Sequence, residues 1–116
     1  MNDSNSKDDI IELKVKADAQ DSTDDERRAS LKKLAGAIAH SLRQSGEVRV
    51  RCFGNACIGK AAKAATMARG LVAVHGYDLY MVPYYINADM DGVDKKGIGF
   101  ICFTNEKSPS DVGEKI

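Results

Sequence analysis

The hydrophobic period of this sequence switches twice from two to about 3.6, and this switching constrains the fold more than any other feature. Residues 11–15 and 48–52 alternate apolar and polar side chains, which predicts two strands that each bury one face. Residues 31–42 repeat leucine and isoleucine at three- and four-residue steps, and residues 61–71 are rich in alanine, so a helix is expected after each strand. The first part of the chain therefore predicts two strand–helix units in succession.

Capping residues set the bounds of the first helix. Thr23 precedes Glu26 by three positions, the spacing at which a hydroxyl and a carboxylate satisfy free backbone N–H groups. Gly46 suits the left-handed conformation just past a helix end. Together they predict a helix over Asp24–Ser45.

Two further strands complete the predicted fold. Residues 78–87 are almost wholly apolar and aromatic, which is typical of a strand covered on both faces, and Pro83 marks an edge or a bulge. Asp91–Gly92 is a hairpin turn pair, and residues 98–103 form the returning strand. The order βαβαββ predicts an α/β fold of the α+β two-layer kind, with two helices on one face of a four-stranded mixed sheet.

The 116 residues are enough for one domain, predicted over residues 10–104 between a disordered acidic tail (1–9) and a polar tail (105–116). No apolar run approaches the roughly 18 residues that span a bilayer. The polar, acidic amino terminus is the opposite of a signal peptide. We therefore expect a cytoplasmic protein with no membrane partner, and the apolar excess of residues 78–86 predicts a homodimer.

Charge is distributed unevenly although the 17 basic and 17 acidic residues cancel. Residues 1–30 and 77–116 are net acidic, whereas residues 31–76 hold eight basic residues against Glu47 alone. The centre of the chain could therefore form a basic face for a polyanion, or simply solvated helix surfaces.

The segment Gly54–Lys60 has the spacing of a phosphate-binding P-loop between a strand and a helix. Ala61 lacks the hydroxyl that would bind magnesium, so nucleotide hydrolysis is not expected. The sequence predicts a turn over residues 54–59 and, after it, a helix that ends near Gly70. Two interpretations of this turn remain open. One is an anion site at a helix start beside Lys60 and Lys63, and the other is a tight glycine turn with a helix cap.

The sequence gives little support for a metal site or a catalytic site. The spacing of Cys52, Cys57 and His75 matches no zinc pattern, and buried structural cysteines are the simpler interpretation. The acidic residues between Asp89 and Asp94 fit turn positions better than a calcium loop. No catalytic residues can be assembled, so we expect no enzyme, no cofactor, no metal site and no small-molecule substrate.

A series of short segments carries a family resemblance. They are Leu13–Val15, Ala35–Ile38, Leu42–Arg43, Gly46, Gly54, Ala61, Lys63, Ala68–Gly70, Val72–Ala73, Asp78–Leu79, Pro83 and Asp91–Gly92. Running in this order from Glu12 to Thr104, they resemble the stage V sporulation protein S family, small bacterial proteins of the Alba superfamily. The resemblance implies an Alba-like βαβαββ fold, homodimerisation, binding of DNA or RNA, and a role in developmental regulation.

Alba proteins bind nucleic acid through the start of the first helix, the turn before the second helix and the long hairpin. The resemblance and the basic central segment together predict a nucleic-acid site of Lys32, Lys33, Asn55, Lys60, Lys63, Arg69, Lys95 and Lys96.

The sequence departs from the pattern of the family in three ways. Residues 18–28 form an insertion with five acidic side chains, expected to weaken or regulate binding; Asn55 stands where archaeal Alba proteins carry a basic residue; and Lys32 and Lys33 lie deeper in a longer helix.

Two functions follow from these observations. The first is a dimeric regulatory protein that binds the phosphate backbone of DNA or RNA electrostatically, without sequence preference. The alternative is a regulatory module that binds another protein and no nucleic acid. Assembly beyond a dimer is left open.

Overall fold

The computed structural model describes residues 10–105, except the side chain of Met90. The elements are β1 (Glu12–Lys14), α1 (Asp24–Ser45), β2 (Glu47–Cys52), α2 (Asn55–Ala73), β3 (Leu79–Met90) and β4 (Val93–Thr104). This confirms the predicted βαβαββ order of an α+β two-layer fold. The predicted tails lie outside the described residues, apart from Asn105.

The strands form one mixed sheet in the order β1-β2-β4-β3. β1 runs parallel to β2, and β4 is antiparallel to both of its neighbours. Val50 is the central point of the register, because it lies opposite Leu13 on one side and Phe100 on the other. Pro83 lies in β3 at the edge of the sheet, as predicted, where its missing N–H interrupts no ladder.

Both helices pack on one face of this sheet and bury its core. Val48, Val50 and Cys52 alternate along β2 toward the helices and are at most 1% exposed. α1 contributes Ile38 and Leu42, and α2 contributes a row of alanines in which Ala64 and Ala68 are fully buried. Because alanine leaves the backbone close to its neighbours, α2 lies tightly against α1 and the sheet.

The caps of α1 are those that the sequence predicts. The Glu26 amide donates to Thr23 Oγ1 at 3.1 Å, and the Thr23 amide donates to Glu26 Oε1 at 2.8 Å. At the other end Gly46 has φ 81°, and its amide donates to the Leu42 carbonyl at 2.7 Å. Such caps satisfy backbone groups that would otherwise lack partners, each stabilising a helix by about 1 kcal/mol.

The predicted turn over residues 54–59 is wrong, because α2 begins at Asn55 directly after Gly54. Gly54 has φ 95°, and its carbonyl accepts from the Ile58 amide at 3.1 Å, the first bond of the helix. Cys57 is 6% exposed in the core, and Ile58 packs against the same core. This burial outweighs the roughly 1 kcal/mol that a helical glycine such as Gly59 costs. The helix also continues past Gly70, where Val72 is fully buried, and ends at Ala73.

β3 and β4 form a long hairpin whose turn, Asp91–Gly92, is as predicted. Both residues have positive φ, 54° and 79°, the conformation of a two-residue turn that matches strand twist. The expectation that residues 78–87 are covered on both faces is not met within one chain. Tyr85 is 89% exposed on the helix-side face of β3, although the side chain of Tyr84 on the opposite face is partly buried.

Candidate nucleic-acid interface

A cavity of about 390 Å³ lies at the amino-terminal end of α2, and three of the predicted nucleic-acid residues line it. They are Asn55, Lys60 and Lys63, one and two turns apart along the helix. Arg27 of α1 and Asp18 from the loop after β1 line the other side of the cavity. Three cationic side chains and one carboxylate therefore share one site.

Lys60 is fixed by three hydrogen bonds. Its Nζ donates to the Ser30 hydroxyl at 2.7 Å, to the carbonyl of Lys16 at 2.8 Å and to Asp18 Oδ1 at 3.0 Å. An ammonium group has three protons, so all of them are used. With a side chain that is only 12% exposed, Lys60 anchors the loop after β1 and presents little charge to solvent.

Asp18 is the one acidic residue of the 18–28 insertion that lines the cavity. The hydrogen bond from Lys60 holds the pKa of its carboxyl below the ordinary 3.8, so the group is ionised at neutral pH. Arg27 approaches the same carboxylate at 3.9 Å. Its guanidinium also donates to the carbonyls of Ala19 and Gln20, which pins the loop to the first turn of α1.

The start of α2 is suited to an anion. No side chain caps it, and its first turn carries no acidic residue. Within α2 itself no side chain neutralises the positive end of the helix dipole, which favours a negative charge in the cavity beside the one that Asp18 supplies. By contrast, α1 begins with Asp24, Asp25 and Glu26, which complement its own dipole.

The remaining predicted residues lie elsewhere. Lys32 and Lys33 are exposed on α1 and do not line the cavity. Arg69 lies roughly 21 Å from Asn55 along α2, at about 1.5 Å per residue. There its guanidinium donates to Asp78 Oδ1 at 2.7 Å and Oδ2 at 3.3 Å, and this pairing raises the pKa of Arg69. Lys95 and Lys96 are exposed on the hairpin.

Arg27 is a cavity residue that the sequence analysis missed. It lies four positions before Leu31, so both side chains fall on one face of α1, and both line the cavity. That spacing was the only available indication, since the groups that Arg27 contacts come from the loop before the helix.

The three cysteines are buried and free. Burial raises the pKa of Cys52 to about 11 and that of Cys102 to about 12. These two thiols are therefore protonated and unreactive near neutral pH. Within residues 10–105 no three side chains of the metal-binding types come together as a metal site would require.

Neither α1 nor α2 has an apolar stretch of the length needed to cross a bilayer. The chain matches the family model described as Stage V sporulation protein S over residues 26–105. The matched region holds α1 except its first two residues, all of α2, and the strands β2, β3 and β4, while β1 and the loop that carries Asp18 precede it.

Proposed function

This chain belongs to the stage V sporulation protein S family, whose members are sporulation regulatory proteins, and we propose that it acts by binding the phosphate backbone of nucleic acid. The cavity at the start of α2 carries the proposal. An uncapped helix start, the exposed Lys63 and the Arg27 guanidinium all favour the same ligand, an anionic oxygen. Phosphates of DNA or RNA supply such oxygens in a repeating array.

Lys63 is the strongest single contact in this proposal. It is exposed, whereas Lys60 is occupied by three acceptors. A phosphate in the cavity would therefore meet Lys63, Asn55 and the helix start first, and would engage Lys60 only by competing with Asp18. Lys32, Lys33, Lys95 and Lys96 would add contacts along the backbone of a longer nucleic acid.

The test is a fluorescence-anisotropy titration of a labelled DNA duplex at about 50 mM and about 200 mM salt, since each phosphate contact adds about −0.9 to the log–log salt slope. We expect Lys63→Gln to weaken binding and to make the slope less negative by about one contact. Arg43→Gln is the matched control, because it removes the same charge from the exposed last turn of α1. Absence of binding at low salt, or equal effects of the two variants, would refute the proposal.

We also propose that the protein is a homodimer through the helix-side surface of β3. Pro83, Tyr84, Tyr85 and Ile98 line a mostly apolar groove of about 340 Å³. Tyr85 is 89% exposed and continues this groove as one apolar patch, and exposed apolar patches mark interaction surfaces. A second copy would cover this ring and bring two basic cavities into one particle.

Sedimentation velocity tests the dimer. The wild-type chain is expected to sediment as a dimer and Tyr85→Glu as a monomer. Val93→Glu is the control, because Val93 is also exposed, at 62%, but lies on the other face of the hairpin. A monomeric wild type would rule out this assembly.

A pull-down from lysate, with and without nuclease, tests the rival function, in which the protein binds another protein and no nucleic acid. That function predicts bound partners that remain after nuclease treatment.

A further inference from the structure

The sheet face that points away from the helices carries two aromatic rings that lie on glycines. We name this surface the open face. A Cβ on Gly97 would lie 2.7 Å from the ring of Phe53, and a Cβ on Gly99 would lie 2.5 Å from the ring of Tyr84. Both rings therefore rest directly on β4, in space that any other residue would fill.

Cationic groups surround the Phe53 ring. Lys14 Nζ lies 5.8 Å from the ring centroid, and the guanidinium carbon of Arg51 lies 5.6 Å from it. Lys14 and Arg51 are opposite each other in the β1–β2 register, so their side chains share the open face. Side chains alternate between the two faces of a strand, so Lys95, two residues before Gly97, also lies on the open face. It is therefore next to Gly97, the residue on which the Phe53 ring lies.

The open face is net basic. Its charged residues on the described strands are Glu12, Lys14, Glu47, Arg49, Arg51 and Lys95. Glu47 is 5% exposed and pairs with Arg49 at 3.9 Å, so its charge is compensated locally. Glu12 alone then opposes Lys14, Arg51 and Lys95, and an anionic ligand complements this surface.

We propose that the open face is a second nucleic-acid site, on which a base of a single strand stacks on Phe53 while Lys14 and Arg51 hold the flanking phosphates. This inference rests on the proposed function and adds a substrate class to it. The bases of a duplex are already stacked on each other, whereas an unpaired base can lie flat on an aromatic side chain. Stacking exceeds an exposed cation–π contact in strength, so a base can displace the two cations toward the phosphates.

The absence of tryptophan from the sequence permits a direct test. Phe53→Trp creates a single tryptophan at the site, and its emission should be quenched when a thymidine oligonucleotide of about 20 nucleotides stacks on it. Val74→Trp is the matched control, because Val74 is 79% exposed just past the end of α2, on the helix layer and away from both the open face and the cavity. We expect quenching of Phe53→Trp and none of Val74→Trp.

An affinity measurement keeps the test independent of the tryptophan variant. Phe53→Leu keeps an apolar side chain but removes the aromatic ring, and should weaken binding of the labelled single strand by at least about five-fold. Its affinity for a duplex of equal length should not change. Phe53→Tyr should bind the single strand as the wild type does.

Two results would overturn the inference while leaving the proposed function intact. One is a single strand that binds without quenching Phe53→Trp, and the other is a Phe53→Leu variant that loses duplex and single-strand affinity equally. A protein that binds neither form of nucleic acid would refute the proposed function itself.

Discussion

Asp18→Asn should increase the affinity of the protein for nucleic acid, because Asp18 holds Lys60 inside the cavity that we assign to phosphate. A phosphate at the centre of a cavity of about 390 Å³ would lie roughly 5 Å from a carboxylate on its wall. Two like charges at about 5 Å repel by about 0.8 kcal/mol at the dielectric constant of water, and by more in less polar surroundings. Removing one of them should therefore tighten Kd by at least about four-fold.

A second effect of Asp18→Asn is a change in salt dependence. With its carboxylate partner gone, the Lys60 ammonium can contact a phosphate. The log–log salt slope on duplex DNA should then become more negative by about 0.9. The same substitution should also lower Tm, since the ion pair between Lys60 and Asp18 is lost.

The assay is fluorescence anisotropy of a labelled duplex at two salt concentrations, with Tm measured on the same samples. Asp21→Asn is the matched control, because Asp21 is exposed in the same loop and does not line the cavity. An unchanged or weaker affinity for Asp18→Asn would refute the argument. A gain of the same size for Asp21→Asn would show that only net charge matters.

Three further predictions concern stability. Ile38 is fully buried, so Ile38→Ala should lower the free energy of unfolding by about 2–5 kcal/mol in urea denaturation; a loss below about 1 kcal/mol would contradict the core described. Thr23→Ala should cost about 1 kcal/mol in the same assay, because it removes the acceptor for the Glu26 amide, and a neutral result would contradict the capping box. Asp78 has a pKa lowered from 3.8, chiefly by the Arg69 hydrogen bond, so its stabilisation is present above that pH and lost as pH falls through the folded-state pKa. The Tm difference between wild type and Asp78→Asn should therefore shrink in acid, and a difference independent of pH would exclude the ion pair as its cause.

Local patterns predicted much of this fold because they depend on residues close together in the chain. The bounds of α1 follow from Thr23, Glu26 and Gly46, which act within one turn of the helix ends. The Asp91–Gly92 turn needs two residues with positive φ, and the sequence places a suitable pair there. The start of α2 could not be predicted in this way. Cys57 packs against residues far away in sequence, so the core determines the conformation of the segment.

The site was harder to predict than the fold. Lys60, Lys63 and Asn55 do line one cavity, since all three occupy the first turns of α2. Lys60, however, contacts Asp18 and Ser30 across 42 and 30 residues of sequence, and no local pattern reveals which acidic residue of the insertion will reach it. The ring of Phe53 depends in the same way on Gly97, a residue of another strand.

The burial of all three cysteines has a practical consequence for experiments on this protein. Each thiol lies in the core, and the Cys57 Sγ also donates to the Val15 carbonyl at 3.6 Å. A cysteine introduced at an exposed position would therefore be far more reactive than the native ones toward maleimide dyes or spin labels. Fluorophores could be attached near the cavity, the open face or the hairpin tip without removing any native sulfur atom, so distances on the surface can be followed in the otherwise unaltered chain.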